Sequence, residues 1–119
     1  MKFEDVTLEN DEYSLAVTID GEPEYENRHV YLFRYDVARD GEGCLDAGTV
    51  YIVKSPWSIA EVEFVHVVGD NDADFVASTP EVPAGVLIEG ALRMIAKHLV
   101  RGWREYLATR KKAKGKRIK

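Results

Sequence analysis

The chain has 119 residues, 45% of them hydrophobic and 31% charged, enough to fold as one domain around a moderate core and too apolar for general disorder. Its net charge of -5 conceals a division: 20 Asp/Glu against 5 Lys/Arg through Leu92, a net of -15, and 11 Lys/Arg against Glu105 from Arg93 onward, a net of +10. Cys44 is the single cysteine, which excludes an intrachain disulfide, and no stretch approaches the roughly 18 consecutive apolar residues of a membrane span.

Met1-Lys2-Phe3-Glu4-Asp5 lacks the basic start and apolar run of a signal peptide, so a cytoplasmic location is expected. Phe3 to Leu8 reads as a first strand, and Glu9 to Glu12 as a polar turn. Tyr13, Leu15, Val17 and Ile19 then alternate with smaller or polar residues, the pattern of a half-buried strand. Asp20-Gly21 ends it and opens a long acidic connection. From His29 to Val37 both faces are largely apolar, as a central strand requires. Arg39 to Gly43 is a loop, Gly48 to Lys54 a β-branched strand, Ser55-Pro56-Trp57 a turn, and Ile59 to Val68 the returning strand. Connections this short favour antiparallel neighbours.

After Pro83 the period changes. Leu87, Ala91, Met94, Ile95, His98, Leu99, Gly102, Trp103 and Tyr106 recur at helical spacing, predicting a helix from about Pro83 to about Arg110 with that stripe buried. The expected fold is therefore α+β: a four- to five-stranded antiparallel sheet with one long C-terminal helix packed on one face. The division expected is a single domain over residues 1–110 and a flexible basic tail over 111–119.

Three groups of charged residues are candidates for binding. Asp20, Glu22, Glu24 and Glu26, with Glu61 and Glu63, supply an acidic surface for a protein partner with a basic, nucleic-acid-binding groove. Glu61 and Glu63 share a strand face by period-two alternation, the placement also used by paired catalytic carboxylates. Arg93, Lys97, Arg101 and Arg104 fall within about 80° of one another on the helix and lead into Lys111, Lys112 and Lys114, a ridge and tail suited to nucleic acid or another polyanion. Asp70, Asp72, Asp74 and Glu81 occupy positions 1, 3, 5 and 12 of a stretch that resembles the EF-hand calcium loop. Phe75 stands where that loop needs glycine, so the favoured reading is an acidic strand-to-helix connection capped by Ser78 or Thr79, with Pro80 or Pro83 opening the helix.

Val65-His66-Val67-Val68 before Gly85-Val86-Leu87-Ile88-Glu89-Gly90-Ala91-Leu92 resembles the central part of the GNAT acyltransferase superfamily over about a third of the chain. The resemblance implies a degenerate acyltransferase as an alternative. Members place a glycine-rich pyrophosphate turn between strand and helix, where this chain has a long acidic stretch. Cys44, His29, His66 and His98 carry no nucleophile signature, and neither cofactor nor catalytic residue is expected. The expected function is a small non-enzymatic interaction module whose acidic body docks on a basic protein partner. Opposite charges on identical chains add homo-oligomer formation as a third use.

Overall fold

The computed structural model describes residues 2–70 and 79–117, with side chains through Thr109. Six strands form one antiparallel sheet: β1 (Val6–Asn10), β2 (Leu15–Ile19), β3 (Tyr25–Glu26), β4 (Val30–Arg39), β5 (Gly43–Ser55) and β6 (Ser58–Gly69). Their order is β1-β2-β4-β5-β6, and β3 pairs with β4 beyond the end of β2. A short 3-10 helix (Asp11–Tyr13) joins β1 to β2, and one α-helix among the described residues, α1 (Ile88–Arg117), completes the α+β fold; no helix among them is long and apolar enough to cross a membrane.

Alternation divides the strands into two faces. Leu15, Val17 and Ile19 on β2, Tyr31, Phe33, Tyr35 and Val37 on β4, and Val50 and Ile52 on β5 are all buried on the inner face. Each such side chain stabilises the fold by up to about 2 kcal/mol. The helix approaches β1, β2 and β6 most closely, so it lies between the two edge strands of a sheet that curls around it. The rings of Tyr31, Phe33 and Phe3 form the floor beneath it, with Phe3 edge-on to Tyr31 at 5.7 Å and to Phe33 at 5.9 Å. Phe3 precedes β1 and is held by its amide, which donates to the Gly21 carbonyl. A Cβ on Gly21 would come within 2.2 Å of the Phe3 carbonyl oxygen, so only glycine fits there.

The helix starts five residues later than its period suggests. A turn at residues 84–85 brings Val86 and Leu87 along the outer edge of β6, where the Gly85 amide donates to the Val62 carbonyl and the Val62 amide to the Val86 carbonyl, both at 2.8 Å. Gly85 has φ +90°, in the left-handed region, and Leu87 bridges Glu61. The Leu87 carbonyl then accepts from the Ala91 amide as the first helical bond. Thr79 caps β6 instead of the helix: its hydroxyl meets the Val67 amide and His66 Nδ1. Ser78 lies outside the described residues.

The buried stripe is also rotated from the expected one. Ile88, Leu92, Ile95, Leu99, Trp103 and Leu107 are buried, and Ala91 and Ala96 let the edge strands come close. Leu87 is 60% exposed and Met94 37%, and His98 is only half-buried. Leu87 is diverted by its bridge to β6, and Met94 lies on the solvent side of a stripe centred on Ile95 and Leu99.

Two buried polar groups mark the ends of the trough, both on β5. Lys54 is 6% exposed, with its ammonium 3.6 Å above the Tyr31 ring, donating to the Asn27 carbonyl and 3.7 Å from the Glu26 carboxylate. That set of contacts offsets the desolvation of the charge. Asp46, 3% exposed, accepts from the Tyr35 hydroxyl at 3.3 Å through Oδ2, while its buried Oδ1 meets no hydrogen-bond partner among the described residues. Gly48 makes this contact possible, because a Cβ there would stand 2.5 Å from the Tyr35 ring and 2.3 Å from the Val68 carbonyl oxygen.

Candidate interaction surface

The face of the sheet turned away from the helix is built by register. Val30 pairs with Val53, and Val53 with Phe64; the next row is Tyr25, Leu32, Tyr51 and His66; the third places Arg34 beside Thr49, and Thr49 beside Val68; the fourth aligns Thr18, Asp36 and Ala47. Successive rows lie about 7 Å apart along the strands. The first two rows are apolar apart from His66, with Tyr25 50% and Phe64 54% exposed. The third and fourth rows carry the charges, Arg34 beside Thr49 and Val68, and Asp36 between Thr18 and Ala47.

Arg34 organises the charged rows. Its Nη1 donates to Thr49 Oγ1 at 2.8 Å and to Asp70 Oδ1 at 3.2 Å, its Nη2 pairs with Asp70 Oδ2, and its Nε stands 3.9 Å from Glu24. Asp5, Asp20, Glu24 and Asp36 line a shallow depression of about 420 Å³ together with Arg34, Asp5 accepting from the Gly21 amide at 2.8 Å. With Asp70, five carboxylates thus share this surface with one guanidinium, leaving a strongly negative field. The Arg34 hydrogen bonds hold the Asp70 carboxyl below the usual carboxylate range, and Asp70 in turn raises Arg34.

The acidic run over residues 20–26 does not act as one patch. Asp20 accepts from the Glu22 amide at 2.9 Å and shapes the turn, Glu24 faces Arg34, and Glu26 is committed to Lys54, which leaves Glu22 as the exposed tip. Glu61 and Glu63 are not brought together by regular alternation either. The register shift after Val53 makes Glu63 a bulge residue, and the backbone of Glu61 is engaged by Leu87. Glu63 instead lines a depression of about 410 Å³ with Arg28, His29 and Trp57, whose side chain is 91% exposed at the hairpin tip.

Arg93, Lys97, Arg101 and Arg104 are all exposed on α1. At 100° per residue their mean direction lies about 150° around the helix from the buried stripe, so the basic ridge faces away from the sheet. The side chains of Lys111, Lys112 and Lys114 lie outside the described residues. So do Asp72 and Asp74; of the calcium-type positions that remain, Asp70 is occupied by Arg34 and Glu81 is exposed. Among the described residues no three metal-binding side chains come together. Cys44 is exposed, its thiol directed at the Asp46 carbonyl.

Asp5, Tyr25, Leu32, Arg34, Asp36, Tyr51 and Phe64 are surface residues that sequence reasoning did not single out. Their signal was present as phase: with Phe33 and Tyr35 inward, Arg34 and Asp36 must face outward. Compared with known protein families, with curated proteins and with solved structures, the chain matches none.

Proposed function

We propose that this protein is a non-enzymatic docking module whose acidic sheet face binds a basic protein partner. The observation that carries the reading is a concentration of carboxylates on the exposed sheet surface: Asp5, Asp20, Glu24 and Asp36 line one depression with Arg34, and Asp70 pairs with that arginine. Such a field accelerates encounter with a cationic surface and orients it. The partner is a protein presenting clustered lysine and arginine side chains, including the groove of a nucleic-acid-binding protein.

A decalysine peptide tests this. The double variant Glu24→Lys/Asp36→Lys is expected to associate about tenfold more slowly than the parent at low salt, with little change in dissociation. Glu12→Lys/Glu81→Lys alters the net charge equally at exposed positions elsewhere and should slow association far less. Equal effects of the two double variants would reduce the carboxylate cluster to a part of the general surface charge.

The exposed ridge of Arg93, Lys97, Arg101 and Arg104 favours a second reading, polyanion binding on the opposite side of the molecule. The two surfaces face different directions and are compatible with two partners at once.

A further inference from the structure

The carboxylate cluster occupies only part of the outer sheet face. Directly beside it, one row along the strands, Val30, Tyr25, Leu32, Tyr51, Val53 and Phe64 form an apolar field by the pairings Val30 with Val53, Val53 with Phe64, Tyr25 with Leu32, and Leu32 with Tyr51, with the exposed His66 at its β6 edge beside Tyr51. Tyr25 and Phe64 are 50% and 54% exposed, although each stands next to a partly buried apolar neighbour, Leu32 and Val53 respectively. Contiguous apolar surface of this kind marks a contact site on a soluble domain. On β4 and β5 the boundary between the two fields falls between Leu32 and Tyr51 on one side and Arg34 and Thr49 on the other; on β6 His66 stands beside Tyr51 and Val68 beside Thr49.

We infer that the outer face binds an amphipathic, lysine- and arginine-rich helix of a partner protein, laid across the strands with its apolar stripe on Tyr25, Leu32, Tyr51 and Phe64 and its cationic side toward Asp20, Glu24, Asp36 and Asp70. This rests on the docking reading above and specifies the partner it takes. The dimensions agree, since a helix is about 10 Å wide and two rows of the sheet span about 7 to 14 Å. The complementary charge selects the helix direction around its own axis, because reversing it would set lysines on the apolar field and leave the carboxylates uncovered.

A second copy of this chain fits the face less well. Its exposed basic ridge lies on the far side of the molecule from the outer sheet face, so a ridge-to-face contact between identical chains is heterologous and continues into an open stack rather than closing as a dimer. The ridge also lacks a broad apolar stripe of its own, since the apolar side of α1 is buried against the sheet.

The test uses the full chain and two labelled peptides of equal charge: a 14-residue leucine/lysine peptide with helical amphipathic spacing, and an oligolysine. At about 150 mM salt the leucine/lysine peptide is expected to bind at least about tenfold more tightly than oligolysine. Tyr25→Ser/Phe64→Ser, at two exposed positions, should abolish that advantage and leave oligolysine binding unchanged, whereas Glu24→Lys/Asp36→Lys should weaken both peptides. If the two peptides bind alike and only the charge reversal matters, the amphipathic-helix inference is overturned while acidic docking stands. If neither peptide responds to the charge reversal, the docking reading fails as well. Sedimentation velocity of the protein alone supplies a further arm: concentration-dependent oligomers that disappear in Tyr25→Ser/Phe64→Ser would make a second copy the occupant and overturn the inference.

Discussion

Asp46 and Asp70 respond to pH in opposite senses. Burial pushes the Asp46 carboxyl above the ordinary aspartate range, against the pull of the Ala47 amide and the Tyr35 hydroxyl. The folded chain therefore holds that proton more tightly than the unfolded chain, and stability declines as pH rises from the ordinary aspartate range through the raised pKa. Asp70 is held down by Arg34, so its contribution is complete above the ordinary range and is lost as pH falls through its lowered pKa. Thermal unfolding between about pH 7 and about pH 3 separates the two. Asp46→Asn should melt above the parent at neutral pH, with a gap that closes on acidification. Asp70→Asn should melt below it, with a gap that also closes. Parallel melting curves for Asp46→Asn and the parent would show that the buried carboxyl does not carry the assigned pH dependence.

The helix and the strand β5 show how one element serves several constraints. Along α1 the buried positions Ile88, Leu92, Ile95, Leu99, Trp103 and Leu107 follow a spacing of four and three, while residues 85–87 immediately before it are spent on pairing with β6. Leu99 is fully buried, and Leu99→Asp is expected to cost about 4 kcal/mol, from the lost packing together with an unpaired buried charge. Met94, five residues earlier on the same helix, is 37% exposed, so Met94→Asp should stay within about 0.5 kcal/mol. Denaturant unfolding of the two variants checks the rotation of the stripe directly; equal losses would mean that the helix packs on the other phase. On β5 the inner positions run Asp46, Gly48, Val50, Ile52 and Lys54, so a single strand carries the apolar centre of the trough and the polar group at each end.

Charge and shape are segregated across the protein as a whole. The outer sheet face is acidic beside apolar, while the helix ridge about 150° away from the buried stripe is basic. A polyanion bound to that ridge avoids the carboxylate cluster, and the sheet keeps the two fields apart. The chain is therefore expected to retard a short DNA or RNA duplex at about 20 mM salt, with affinity falling steeply toward about 200 mM and little sequence preference. Arg93→Glu/Arg101→Glu should remove the shift without altering decalysine binding on the other face. A shift that persists in this variant would place the polyanion contact away from the ridge.

Much of this architecture is legible in the amino-acid order because local periodicity has a local cause. Alternation along 15–19 and 30–37 identifies β2 and the central β4, helical spacing after residue 87 identifies α1, and the division of charge at Leu92 and Arg93 places opposite potentials on the body and the helix. The same alternation already puts Asp46 and Lys54 on the core face, but periodicity carries no information on what would compensate them; Tyr35 and Tyr31 reach them only across the sheet. The helix start was obscured for a related reason, since the backbone partners of Gly85 and Val86 lie more than 20 residues earlier, at Val62. Glu61 and Glu63 are separated by a bulge whose cause is the register against β5, and Glu26 is drawn from the acidic surface by a lysine 28 positions later. Sequence order determines which face each residue can occupy. Cross-strand register, a property of pairs distant along the chain, decides which of those residues meet, and so brings the carboxylates and Arg34 onto one surface and sets the apolar field beside them.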